Sequence, residues 1–130
     1  MGENEGKALQ DRFRERGLHM ALTLEDMQRR VDAYISQFKE GYFQPMTLVV
    51  RLTEELGELA REVNHEYGEK PKKPSEEPGS IALELGDLMF VIACLANRLD
   101  IDLSDAFMRI MEKFETRDKD RWTRIHPKTP

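Results

Sequence analysis

The sequence predicts an all-α fold, a four-helix bundle, and three observations carry that prediction. Apolar residues recur at helical spacing in successive segments. Helix-start and helix-stop residues stand where that periodicity begins and ends. The composition, 39% hydrophobic and 35% charged, suits helices with an apolar stripe and a heavily charged outer face. At 130 residues the chain has room for one ordinary domain and not for two.

The elements follow in order. Residues 1–22 read as a charged N-terminal extension with scattered apolar residues, Leu9, Phe13 and Leu18. A frayed helix and a disordered arm are both open there, and Met20 stands as an alternative start. The first bundle helix begins at Thr23, which forms a capping-box pattern with Asp26 three residues on. Met27, Val31, Tyr34, Ile35 and Phe38 give its stripe, and it is expected to run to Lys39–Gly41. Gly41 to Pro45 is a connector, with Pro45 suited to a first helical turn. The second helix runs from about Pro45 to Tyr67, with Gly68 as its stop.

Gly68 to Ser80 holds three of the six prolines beside Lys70, Lys72, Lys73, Glu76 and Glu77, and reads as a flexible loop. The third helix spans about Ser80 to Leu99. Its second half is apolar on all sides and so belongs at the centre of a bundle. Asp102 or Ser104 caps a fourth helix reaching about Arg117, with a stripe of Leu103, Phe107, Ile110, Met111 and Phe114. The helical domain accordingly covers 23–124, and 125–130, with Pro127 and Pro130, forms an irregular C-terminal tail.

Charge and cysteine usage exclude several function classes. The formal net charge is −5, from 25 acids and 20 bases, so no global basic field favours a nucleic-acid partner. The single cysteine, Cys94, gives neither a disulfide framework nor a zinc site. The longest apolar run, Leu88 to Ala96, is nine residues, about half of what a bilayer requires. The charged N-terminus has no signal-peptide core. The expectation is a cytoplasmic protein with no membrane partner. Stripes this wide bury their surplus by self-association, so at least a dimer is expected.

The acids are clustered, and the clusters carry the chemistry. The second helix contains Glu54, Glu55 and Glu58, with Glu62 further on; the third begins with Glu84 and Asp87. In each motif two carboxylates stand three residues apart, which puts their Cβ atoms about 5–6 Å apart on one helix face. At about 100° per residue, Glu55 lies about 20° from Leu48 and borders the apolar stripe, whereas Glu54 points away from it. Glu84 and Asp87 open a helix that then becomes almost wholly apolar. Charges entering a core need a partner. Arg51, Arg61 and Arg98 are the few bases on these helices, so a bound cation is the economical one. Carboxylate oxygens from facing helices suit hard Mg²⁺, with Mn²⁺ as a substitute. Gly57 and Gly86, each costing about 1 kcal/mol of helix stability, suggest close helix approach or room for a ligand.

At these residues the chain resembles the MazG-like branch of the all-α nucleoside triphosphate pyrophosphohydrolases, and within it the small single-domain bacterial members. The resemblance rests on EExxE followed by ExxD, here Glu54, Glu55, Glu58, Glu84 and Asp87. It extends through LTEELGELAREVNHEYGEKPKK and the basic stretch KFETRDKDRWTR, from about Met27 to Arg124. It implies a Mg²⁺-dependent hydrolase that cleaves a (d)NTP to the monophosphate and pyrophosphate, on a bundle that forms a homodimer or a dimer of dimers. Housecleaning of non-canonical nucleotides is one role it suggests. Carried over residue by residue, the metal ligands are Glu55, Glu58, Glu84 and Asp87, and either Glu55 or Glu58 orients the attacking water.

Lys113 and Arg117, four residues apart, are the candidates for phosphate charge not met by metal. Tyr42, with Phe43, is the candidate for stacking on a base, against a plainer reading as a core or dimer contact. His65 reads as a surface residue or cap. Two other functions stay open. One is a related reaction on the same bundle, hydrolysis of phosphoribosyl-ATP or of dUTP and dCTP. The other is a non-catalytic module whose acidic helices hold metal to stabilise an oligomer.

Overall fold

The capping box expected at Thr23 forms, with Asp26 N–H donating to Thr23 Oγ1 at 3.0 Å and Thr23 N–H to Asp26 Oδ2 at 3.1 Å. The computed structural model describes residues 3–17, 21–76 and 79–126, with side chains omitted for 3–7. Leu18, His19, Met20, Glu77, Pro78, Pro127 and Pro130 lie outside the described residues. Among those described there are five helices and no strand: α1 (Glu3–Glu15), α2 (Leu24–Ile35), α3 (Pro45–Tyr67), α4 (Ile81–Arg98) and α5 (Leu103–Thr116). The last four are the expected bundle helices. Within the N-terminal segment α1 covers Glu3–Glu15, and among the described residues it shares no extensive interface with the other helices.

α2 ends earlier than its periodicity suggests, at Ile35 rather than Lys39–Gly41. The N–H groups of Gln37 and Phe38 reach back only three residues, to the carbonyls of Tyr34 and Ile35. Phe38 keeps an edge-on contact with Tyr34 at 5.2 Å between ring centroids, so the apolar spacing outlives the helix. Gly41, at φ +64, then turns the chain in a conformation that favours glycine. Pro45 opens α3 at its first positions, and Gln44 supplies no side-chain cap there. At the far end a Cβ on Gly68 would collide with the carbonyl of Asn64, so close approach selects that glycine. Ser80 caps α4 by accepting from Leu83 N–H at 3.2 Å, and Asp102 caps α5 by accepting from Ser104 N–H at 2.9 Å.

Packing is uneven. α3 and α4 share the most extensive interface, α4 also packs on α2, and α5 touches mainly α2. The buried centre is Val31, Leu48, Ala93 and Cys94, with Met27, Ile35, Tyr42 and Leu95 packed around it. Fully buried Ala93 lets the helices approach closely. A polar network ties the layers together. Asn97 Nδ2 donates to the Gln28 carbonyl and to Tyr42 Oη, both at 3.0 Å. Gln28 Nε2 donates to Asn97 Oδ1 at 3.0 Å and to the Ile101 carbonyl at 2.8 Å, while Gln28 Oε1 accepts from Leu103 N–H at 2.9 Å. This network sets the turn into α5, and each partly buried polar atom in it has a partner. No described helix is long and apolar enough to cross a membrane.

Candidate functional site

α3 and α4 are consecutive helices joined by the segment 68–80, and their shared interface puts the middle of α3 beside the start of α4. The two acidic motifs thereby meet. Glu55, Glu84 and Asp87 each offer a carboxylate oxygen, and these atoms lie within 4.8 Å of one another. Glu55 and Glu84 are half-buried, Asp87 is exposed. Glu58 is exposed and stands outside this triplet, but its charge acts on Glu84. Glu54 is exposed, in keeping with its helical phase.

The cluster is electrostatically strained. Partial burial, and then the negative charges of Asp87, Glu58, Glu55 and Glu62, push the Glu84 carboxyl above its ordinary range. Among the described residues the one ion pair to the triplet is that of Arg51, whose Nη2 is 3.8 Å from Glu55 Oε1 and so too far for a hydrogen bond. Carboxylates this close without good cationic partners can bind a cation. Opposite ligands of an octahedral Mg²⁺ stand about 4.2 Å apart. A spread of 4.8 Å is therefore close to what the ion needs and can narrow by small side-chain rotations.

One turn before Glu55, a cavity of about 400 Å³ opens between α2, the 41–44 connector, α3 and α4. Tyr34, Phe38, Phe43 and Phe90 give it aromatic walls, Leu48, Val91 and Cys94 line its interior, and Arg51 stands at its edge. Burial raises the Cys94 thiol pKa. Tyr42 also lines the cavity, but its hydroxyl is committed elsewhere. It donates to Asp32 Oδ1 at 2.6 Å and accepts from Asn97. Burial first, and then the Asp32 bond, push its pKa up to about 12.

Comparison with known proteins decides the family. A match to the MazG nucleotide pyrophosphohydrolase domain spans residues 43–122, which includes both acidic motifs. The chain belongs to the MazG nucleotide pyrophosphohydrolase family. The uncharacterized protein YpjD of Bacillus subtilis (strain 168) is 65% identical over 102 residues, 78% of this chain and 92% of YpjD. The crystal structure of YpjD from Bacillus subtilis superposes with TM-score 0.68 at 60% identity, covering 74% of this chain and 98% of that one. The Bacillus-conserved MazG protein, a nucleotide pyrophosphohydrolase, gives TM-score 0.66 at 58% identity, covering 78% of this chain and 98% of that one.

Against this MazG framework the remaining site candidates are spread out. Lys113 and Arg117 are exposed in the last turn and C-cap of α5, a helix that packs on α2 rather than on α3. Among the described residues neither makes an ion pair. Gly57 and Gly86 have nothing within 4 Å of a would-be Cβ, so no close helix approach inside the chain requires them. Trp122 is 76% exposed, with the Arg121 guanidinium over its ring at 5.4 Å.

The sequence reading missed a set of polar locks on the 68–80 segment. His65, read as a surface residue or cap, is intermediate in burial with a side chain 6% exposed; Nδ1 pairs with the Lys70 carbonyl just past the end of α3 at 2.9 Å, and Nε2 lies 3.3 Å from Glu76. Lys72 Nζ reaches Glu62 at 3.2 Å. The described part of this loop is thus tied to α3 rather than loose. The only signal in the sequence was a loop carrying both charges beside a helix end carrying both charges. That pattern does not say which residues pair.

Proposed function

We propose that this MazG-family chain is a Mg²⁺-dependent nucleoside triphosphate pyrophosphohydrolase that cleaves (d)NTPs to the monophosphate and pyrophosphate. The observation that carries the reading is the meeting of Glu55, Glu84 and Asp87 across two helices, with Glu84 raised by partial burial and then by its acidic neighbours. The donor set is all carboxylate oxygen, which suits Mg²⁺ or Mn²⁺. Such an ion, when bound, supplies charge for polyphosphate oxygens and a more acidic water.

The chain's residues then divide the work. Glu55, Glu84 and Asp87 hold the cation. Glu58, exposed beside the triplet, either completes that ligand set or orients and deprotonates the water, a role it shares as a candidate with Glu55. The aromatic cavity beside Glu55 has the size and lining for the base and sugar, with Tyr42 contributing its ring face only. Lys113 and Arg117 take the outer phosphates if α5 is brought over the acid cluster, which a second copy of the chain can arrange.

A homodimer, or a dimer of dimers, is part of the proposal. α5 has no buried residue, although its apolar stripe is well formed, and Leu56 and Leu83 beside the acids are 56% and 72% exposed. Housecleaning of non-canonical nucleotides is the role we favour; hydrolysis of dUTP, dCTP or phosphoribosyl-ATP is the competing substrate choice. Pyrophosphate release from a panel of canonical, modified and phosphoribosylated triphosphates, with Mg²⁺, Mn²⁺ or EDTA, tests the reading. Metal-dependent release of one pyrophosphate per monophosphate is expected. Release of orthophosphate alone, or activity indifferent to EDTA, would refute it.

A further inference from the structure

Arg51 occupies the seam between the two halves of the site, and nothing in the reading above gives it work. It lines the aromatic cavity, with Cζ 5.8 Å from the Phe43 ring centroid, and on its other side it faces Glu55 across 3.8 Å. Among the described residues it is the only cation lining that cavity, and it makes no hydrogen bond. Its side chain is 45% exposed, so its donors are open to a ligand. Four residues separate Arg51 from Glu55, a rise of about 6 Å along α3. A group that spans from the cavity to the acid cluster must pass this guanidinium.

We propose that Arg51 binds the phosphoryl group that stays on the nucleoside, and so couples base recognition to the reacting end of the substrate. The inference rests on the pyrophosphohydrolase reading of the acid cluster. In a nucleotide lying with its base among Phe43 and Phe90, that phosphoryl group is the one between the aromatic walls and the carboxylates. A guanidinium offers five donors in a planar fork and can grip two phosphoryl oxygens at once, which an ammonium cannot. The long contact to Glu55 gives it a resting partner that it can leave at small cost, since a half-exposed pair at 3.8 Å contributes little. In that pose the outer phosphates, which leave as pyrophosphate, lie beyond it on the metal side of the carboxylates. Arg51 therefore distinguishes the two products: it holds the monophosphate and ignores pyrophosphate.

The test compares wild type, Arg51→Ala and Arg51→Lys through inhibition of turnover by each product. The monophosphate probes are AMP, GMP, CMP and UMP with their 2′-deoxy forms; inorganic pyrophosphate is the other probe, and Mn²⁺ titration reads the metal site. Arg51→Ala is expected to weaken monophosphate inhibition at least tenfold while leaving pyrophosphate inhibition and Mn²⁺ affinity within twofold. Arg51→Lys is expected to recover only part of the loss, because it restores the charge without the fork. Exposure at Arg51 predicts folded variants, which thermal melts check. Unchanged monophosphate inhibition overturns the proposal. So does a parallel loss for monophosphate, pyrophosphate and Mn²⁺, which would mean that Arg51 only steadies Glu55. Failure of the parent reading looks different: wild type itself would neither take up Mn²⁺ nor release pyrophosphate.

Discussion

The α3–α4 pair and α5 carry the same kind of sequence signal and come to different ends. Both show apolar residues at helical spacing. α4 buries Val91, Ala93, Cys94 and Ala96, and of these Ala93 and Cys94 pack with Leu48 of α3 and Val31 of α2. α5 is the most amphipathic of the helices, yet none of its residues is buried, and Phe107 is 58% exposed. An apolar stripe says that a helix needs a partner; it does not say that the partner lies in the same chain. The difference also divides the site. The acids sit on the two helices that share the most extensive interface within the chain, and the phosphate candidates Lys113 and Arg117 sit at the end of the helix with no buried residue.

The largest expected effect tests the α3–α4 half. Glu84→Gln or Glu55→Gln removes a charge that the proposed metal needs, a loss of several kcal/mol of transition-state stabilisation, or about 10³-fold in turnover. Apo stability should not fall, because the substitution also removes repulsion in the cluster. Mg²⁺ should raise the melting temperature of wild type, by about 2.7 kcal/mol of stability at a hundredfold excess over Kd, and leave the variants flat. Variants that melt well below apo wild type would make these acids scaffolding.

The next effect separates the two regions directly. Asn97→Ala opens the partly buried network and should cost about 1–3 kcal/mol at any protein concentration. Phe107→Ala should cost little if α5 stays exposed. If a second chain covers that stripe, it should cost about 3–5 kcal/mol and shift the sedimentation of the wild-type assembly toward monomer. Equal, concentration-independent losses in both variants would erase the contrast.

Lys113→Ala and Arg117→Ala should each raise KM about tenfold, roughly 1.4 kcal/mol, with little change in melting temperature. Steady-state kinetics on the preferred triphosphate checks this. Unchanged KM in both variants would remove α5 from the site.

The smallest effect is a pH slope. Glu84's carboxyl is raised in the folded chain, so between its ordinary value and the raised one the folded state binds a proton that the unfolded state has released. Its contribution to apo stability is therefore greatest below the ordinary value and declines as pH rises through that interval. Melts across that range should show the decline in wild type, and Glu84→Gln should flatten it. A stability that climbs with pH and owes nothing to Glu84 would contradict the assigned strain.

Much of this was legible in the sequence because it is local. The caps at Thr23, Ser80 and Asp102, Pro45 at the start of α3 and the two i,i+3 acid pairs each depend on residues within one helical turn. Spacing and residue type therefore sufficed to place the bundle helices and to nominate the acids. What the tertiary structure decided is everything that depends on two distant segments meeting. It set the end of α2, where the Tyr34–Phe38 contact continues the apolar spacing after the helix has stopped. It drew Glu55 to Glu84 and Asp87 while leaving Glu58 outside. It tied up the Tyr42 hydroxyl with Asp32 and Asn97, paired His65 with the 68–80 segment, and left α5 without a buried residue. Periodicity fixes which face of a helix is apolar and how its side chains stand relative to one another. Which surface meets that face, and at what distance, follows from the competition among all the faces for the same small core.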